Sequence, residues 1–147
     1  MSKTNKIILG RLECIALPEF VIESLKVRVD TGAKTSSLHV DNIVKVIKNG
    51  KPYVSFDIHP DAHNVSNIVN CLAAISDIRN VKSSNGDIEQ RYVIQTPMIL
   101  GEHSWLIEIS LTDRSDMSYL MLFGREAMGD RCLVDPSKVF VESSLSR

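Results

Sequence analysis

The sequence predicts an all-β fold, a sandwich or barrel with a single short helix. Three observations carry that expectation. Turn signals recur about every ten residues, and the runs between them are rich in Val and Ile. Two Asn-Gly dipeptides, Asn49-Gly50 and Asn85-Gly86, each separate a pair of such runs. Asn-Gly is a strong hairpin signal, because both residues tolerate the left-handed backbone of a tight two-residue turn.

The elements follow in order. Ile7 to Gly10 is a short apolar-type start. Leu25 to Val29 alternates apolar and charged residues as a half-buried strand does, and runs straight into Asp30-Thr31-Gly32. Ile43 to Ile47 and Tyr53 to Ile58 form the arms of the first Asn-Gly hairpin, and Ile78 to Lys82 and Ile88 to Ile94 those of the second. Residues 61–75 read as loop plus strand. Later strands are expected at Trp105 to Leu111, Tyr119 to Phe123 and Val139 to Val141. Arg125 to Met128, closed by Gly129, is the one convincing helix.

A chain of 147 residues is expected to be one domain, spanning 1–147, and is long enough to bury a real core. Hydrophobic content of 44% and a formal net charge of −1 argue against global disorder and against a nucleic-acid partner. No apolar run approaches the roughly 18 residues of a membrane helix, so no membrane partner is expected. The polar start, Met1 to Lys6, leads into too few apolar residues for a secretory signal, so the expected location is cytoplasmic. Cys14, Cys71 and Cys132 are odd in number, widely spaced and lack a CxxC pair, which reads as free thiols.

The chemistry concentrates at Val29-Asp30-Thr31-Gly32-Ala33. Aspartic peptidases present their catalytic carboxylate on such a strand-to-turn junction. Gly32 permits a tight turn, Thr31 can brace the loop across a dimer axis, and Asp30 projects from a rigid strand end. Two carboxylates about 3 Å apart cannot both ionise, so the pair holds one proton. The ionised member activates water, and the protonated one polarises the carbonyl. The chain has one such turn, so a complete dyad requires two copies, a homodimer. Asp-Thr-Gly also makes ordinary turns, and the context decides. Tyr119-Leu-Met-Leu-Phe-Gly124-Arg125 is a hydrophobic strand, a Gly and a helix start. Retropepsins place such a segment late in the chain, behind the catalytic turn. The Asn85-Gly86 hairpin, with Ser84, falls where that fold carries its flap.

With these landmarks the chain resembles the small retropepsin-like aspartic peptidases of the RimB type, which carry the label of ATP-dependent zinc proteases. The resemblance rests on Leu17-Pro18-Glu19, Val29 to His39, His59-Pro60, Val81 to Gly86 and Glu89 to Ile94. It continues through Leu111 to Arg114 with Met117, Leu122 to Glu126 and Leu133 to Pro136. It implies a retropepsin-like acid-protease barrel with its helix near residues 125–128. For one branch it implies trimming of glutamate tails that a ligase adds to a ribosomal protein.

The residues fit an acidic substrate. After Asp-Thr-Gly-Ala33, where viral retropepsins carry an acid, this chain has Lys34. Arg79, Lys82 and Arg91 lie on the expected flap hairpin, and Arg114 and Arg125 flank the late strand. Arg suits carboxylate recognition because its fork binds both oxygens. The catalytic set is therefore expected to be Asp30, Thr31 and Gly32, with Ala33, Lys34 and the five other cations lining the substrate. Solvated surface charges or local ion pairs are the competing reading for these cations. Glu126 and Asp135 are expected to be structural, the one at a helix start and the other in a turn. His39 is either a support of the turn or a structural His, and His103 reads as a turn residue. No metal or cofactor is expected: H-E-x-x-H and the G-x-x-x-x-G-K-[ST] loop are both absent. His59-Pro60-Asp61-Ala62-His63, with Asp57, is the only cluster at ligand spacing, and Pro60 breaks any helix there. The alternatives are a non-catalytic peptide-binding module of the same fold and, more remotely, a metal-dependent protease.

Overall fold

The computed structural model describes residues 6–59, 67–82, 85–113 and 119–143. Among these lie twelve strands: β1 (Ile7–Leu9), β2 (Leu12–Leu17), β3 (Ile22–Val29), β4 (Ser36–His39), β5 (Asp41–Lys48), β6 (Lys51–Ile58), β7 (Val69–Ala74), β8 (Asp77–Lys82), β9 (Ile88–Leu100), β10 (His103–Thr112), β11 (Met121–Phe123) and β12 (Cys132–Val134). One α-helix, α1 (Arg125–Met128), and a 3-10 turn at Pro18–Phe20 complete the described set.

The main sheet runs β10-β4-β11-β3-β2-β9-β8, and β10 also pairs with β9. That extra pairing closes six strands into a ring, with β8 appended outside β9. The fold is the expected all-β, retropepsin-like barrel. Alternation places its core: every second residue of β2, from Glu13 through Ile15 to Leu17, is buried. Leu25, Val27, Leu38, Ile94, Met98, Ile109, Met121 and Phe123 fill the interior. The 3-10 turn adds Phe20, whose ring meets Phe56 edge-on at 5.6 Å.

Both Asn-Gly hairpins form. Asn49 and Gly50 have φ of 53° and 77°, the pair of positive values that a type I′ turn needs. The first hairpin, β5–β6, gains β7 to make a separate three-stranded sheet in the order β5-β6-β7. In the second, β8 pairs with β9 from Asp77–Val93 to Lys82–Ile88, close to the expected arms, but β9 continues past Ile94 to Leu100 to pair with β10.

The expected strand at Val139 to Val141 does not form. Phe140 takes a left-handed φ of 52°. The amides of Val141, Glu142 and Ser143 donate to the Glu13 carboxylate at 2.9, 3.4 and 3.0 Å rather than to a neighbouring strand. Gly10 N–H and Ser143 Oγ–H also donate to it, at 2.7 Å each. Burial pushes the Glu13 carboxyl upward, but these donors outweigh it and hold the group below the ordinary glutamate value. A buried carboxylate is stable here only because its charge is so fully hydrogen-bonded. His103 opens β10 rather than lying in the turn before it, with Nε2 3.0 Å from Glu142 Oε1.

Candidate active site

The turn that follows β3 leads to β4, yet these strands are not neighbours. β11 lies between them, parallel to β3 and antiparallel to β4. The turn therefore crosses the end of β11 and rests on it. Asp30 N–H donates to Phe123 O at 2.9 Å, and Gly124 N–H donates to Ser36 Oγ at 2.9 Å. Arg125 N–H and Glu126 N–H, the start of α1, donate to Ala33 O and Lys34 O at 2.8 and 3.0 Å. Trp105 Nε1 donates to Ala127 O at 2.9 Å, which ties α1 back to the barrel.

Gly124 is dictated by this approach. A Cβ there would lie 2.8 Å from Thr35 C and 2.9 Å from Ser36 N, both backbone atoms. Gly32 has a different reason from the expected one. It has no positive φ; its N–H donates to Asp30 Oδ1 at 3.0 Å, and a Cβ would come within 3.2 Å of that oxygen. The glycine keeps space beside the carboxylate. Asp30 is half-buried, and Thr31, Gly32 and Lys34 are exposed around it.

The cations separate into distinct environments. Arg125 Nη1 donates to Thr31 O and Gly32 O, at 3.3 Å each, so it clasps the turn. Arg79 is held by Asp77 at 2.7 Å, Glu108 at 2.9 Å and Glu126 at 3.9 Å. Arg91 is 7% exposed and pairs with Glu89 at 2.6 Å. Lys34 and Lys82 are exposed, and neither makes an ion pair among the described residues. Arg114 and Ser84 lie outside the described residues, as do Met117, Pro60, Asp61, Ala62 and His63. Asn85 and Gly86 are exposed at the hairpin end, where Gly86 has φ 92° and Asp87 N–H donates to Asn85 Oδ1 at 3.1 Å.

The remaining polar candidates have partners within the fold, except that the buried Nδ1 of His39 has no hydrogen-bond partner among the described residues. Glu126 Oε1 accepts from Thr35 Oγ1 at 3.2 Å, and Asp135 Oδ1 accepts from Ser137 Oγ at 2.6 Å in its turn. His59 Nε2 lies 2.7 Å from Asp41 Oδ2, while His39 Nε2 is 3.9 Å from Asp41 Oδ1. Asp57 accepts from Asn42 and Asn70 at 2.8 Å each, which holds its carboxyl below the usual range. Among the described residues no three His, Cys, Asp or Glu side chains are placed to hold a metal ion, and no helix is long and apolar enough to cross a membrane.

Sequence reasoning missed the serines of β4. Ser36 caps the Gly124 amide, and Ser37 meets Ser110 Oγ at 3.2 Å and Arg91 Nη1 at 3.0 Å. Two adjacent hydroxyls on a strand leading away from the turn were the available signal, because buried polar groups need partners.

The model of the RimB-like family, described as retropepsin-like aspartic endopeptidase RimB, matches residues 8–144. A probable alpha-L-glutamate ligase of Shewanella halifaxensis is 48% identical over 136 residues, which are 92% of this chain and 30% of that protein. A protein of the same name from Desulfotalea psychrophila is 43% identical over 132 residues, 90% of this chain and 28% of its own length. The chain thus spans under a third of these curated relatives. The crystal structure of a Legionella pneumophila protein of unknown function matches with a TM-score of 0.77 and 30% identity, covering 92% of this chain and 98% of that one.

Proposed function

The chain belongs to the RimB-like family of retropepsin-like aspartic endopeptidases, and on that premise we propose that it hydrolyses acidic, glutamate-rich peptide tails as a homodimer. Asp30 from each copy supplies one carboxylate. The two share a proton: the ionised one takes a proton from water, and the protonated one donates to the scissile carbonyl oxygen. The observation that carries the reading is the mounting of Asp30. Its backbone is bonded to Phe123, its Oδ1 accepts from Gly32, and the turn rests on Gly124 and is clasped by Arg125. A rigid support of this kind suits a group that must hold its geometry through a reaction.

The substrate class draws on two supports. Lys34 is exposed immediately beyond the turn. The longer relatives that contain a segment like this chain are named for joining glutamate, and a module that removes glutamate would oppose that reaction. A glutamate-tailed protein, ribosomal or other, is the partner this predicts, in the cytoplasm.

Asp30→Asn is the test. Asn keeps the shape but can neither share the proton nor act as base. Cleavage of a glutamate-tailed peptide should fall by several orders of magnitude, as when a member of a catalytic unit is lost, with folding unchanged. Retained cleavage would refute the aspartic mechanism. Absence of cleavage by the unsubstituted chain, with tight binding of the peptide, would favour a binding module instead.

A further inference from the structure

Arg91 occupies a costly position: a guanidinium at 7% exposure must be paired to be stable. Its Nε donates to Glu89 Oε1 at 2.6 Å, and its Nη1 donates to Ser37 Oγ at 3.0 Å and Ser110 Oγ at 3.5 Å. Thr112 Oγ1 is 3.1 and 3.3 Å from the two Glu89 oxygens. Two groups from β9 and β10, Arg91 Nε and Thr112 Oγ1, thus hold the Glu89 carboxylate, while Ser37 of β4 and Ser110 of β10 hold the guanidinium. Among the described residues, Nη2 of Arg91 has no hydrogen-bond partner. The cluster is linked to the candidate active site through β4, the strand that the Asp30 turn leads into, where Ser36 caps the Gly124 amide and Ser37, on the opposite face, meets Arg91. Ser37 lies seven residues beyond Asp30 in the chain.

Resting on the endopeptidase reading, we propose that Arg91 and Thr112, with Ser37 and Ser110 holding the guanidinium in place, form a carboxylate-binding subsite for a substrate side chain, and that Glu89 fills it in the free enzyme. Glu89 is the member able to leave. Its side chain is 35% exposed, and it sits on the hairpin that carries Asn85-Gly86. Arg79, by contrast, is committed to Asp77, Glu108 and Glu126. When a substrate glutamate enters, Glu89 swings to solvent and Arg91 keeps one carboxylate throughout, so its buried charge is never unpaired.

Binding of fluorescein-labelled hexaglutamate and hexaglutamine to chains carrying Asp30→Asn, read by fluorescence anisotropy, tests this independently of cleavage. Adding Glu89→Gln should tighten hexaglutamate binding about tenfold, because the competing charge is gone, and leave hexaglutamine unchanged. Adding Arg91→Met to that variant should abolish the gain. Arg91→Lys serves if the Met variant fails to fold, and should remove most of the gain by losing the fork. Equal effects of Glu89→Gln on both peptides, or no binding of either, would overturn the subsite. Cleavage assays on the unsubstituted chain decide the peptidase reading separately.

Discussion

Replacing Gly124 by Ala should damage both stability and the candidate active site. The backbone there has φ −87° and ψ 170°, which alanine adopts freely, so conformational strain is not the issue. The added Cβ is. It would meet Thr35 C at 2.8 Å, Ser36 N at 2.9 Å and Ala33 O at 3.0 Å, all backbone. Comfortable carbon contacts lie at about 3.5–4.0 Å, so the turn must lift by about 0.7 Å or more. That movement stretches three hydrogen bonds, Gly124 N–H to Ser36, Arg125 N–H to Ala33 and Glu126 N–H to Lys34. At about 1 kcal/mol net each, with the overpacking cost, the loss should be about 2–4 kcal/mol. A shift approaching 1 Å at the turn should lower the cleavage rate by about 10²-fold. Urea unfolding and peptide cleavage measure the two effects. An unchanged midpoint together with full activity would refute the claim that the turn rests on β11. Gly50→Ala is the control: no atom lies within 4 Å of its Cβ, but φ is 77°, so it should cost about 1 kcal/mol through backbone strain alone and leave activity intact.

Other outcomes follow from the same geometry. Glu13 is held below its ordinary pKa, so its contribution to stability is present above about pH 4.5 and lost as pH falls through its folded-state value. Glu13→Gln should cost about 2–4 kcal/mol at pH 7, and should flatten the acid limb of a stability-versus-pH curve; an equally steep limb would contradict this. Lys34→Glu should lower kcat/KM on glutamate-rich peptides about tenfold more than on neutral ones, and the difference should shrink with salt. Equal loss on both would assign Lys34 to the turn or the substrate backbone. Burial pushes the Cys71 and Cys132 thiols up to about 11, so both should resist iodoacetamide at pH 8 in the native protein and react once urea unfolds it. Sedimentation should find the active species to be a dimer, and full activity in a pure monomer would break the shared-dyad mechanism.

Where one local signal determined structure, the sequence was easy to read. Both Asn-Gly hairpins and the helix at Arg125–Met128 are where turn chemistry and a closing glycine place them. Elements fixed by distant partners were not legible. β12 is three residues long and exists by pairing with β1 at the other end of the chain. The residues after Phe140 have strand composition, yet Glu13, 128 to 130 positions away, takes their amides. The same limit governed the site. Asp30-Thr31-Gly32 could be read in place, as could its support by Gly124. That Arg125 clasps the turn, Arg79 serves three acids and Arg91 is buried could not, because composition locates a cation but says nothing of the carboxylate it meets after folding.

The unpaired edge of the three-stranded sheet has a practical consequence for anyone handling the protein. β5 is exposed along most of its length, with Val44 at 55% and Ile47 at 63%, and among the described residues no strand pairs with its outer edge. Such an edge is a template on which another chain can add. Lys45 and Lys48 interrupt the apolar run, and their desolvation and mutual repulsion discourage stacking of copies. Neutralising those two lysines by substitution with Gln should leave the barrel intact while raising turbidity at high concentration relative to the unsubstituted chain.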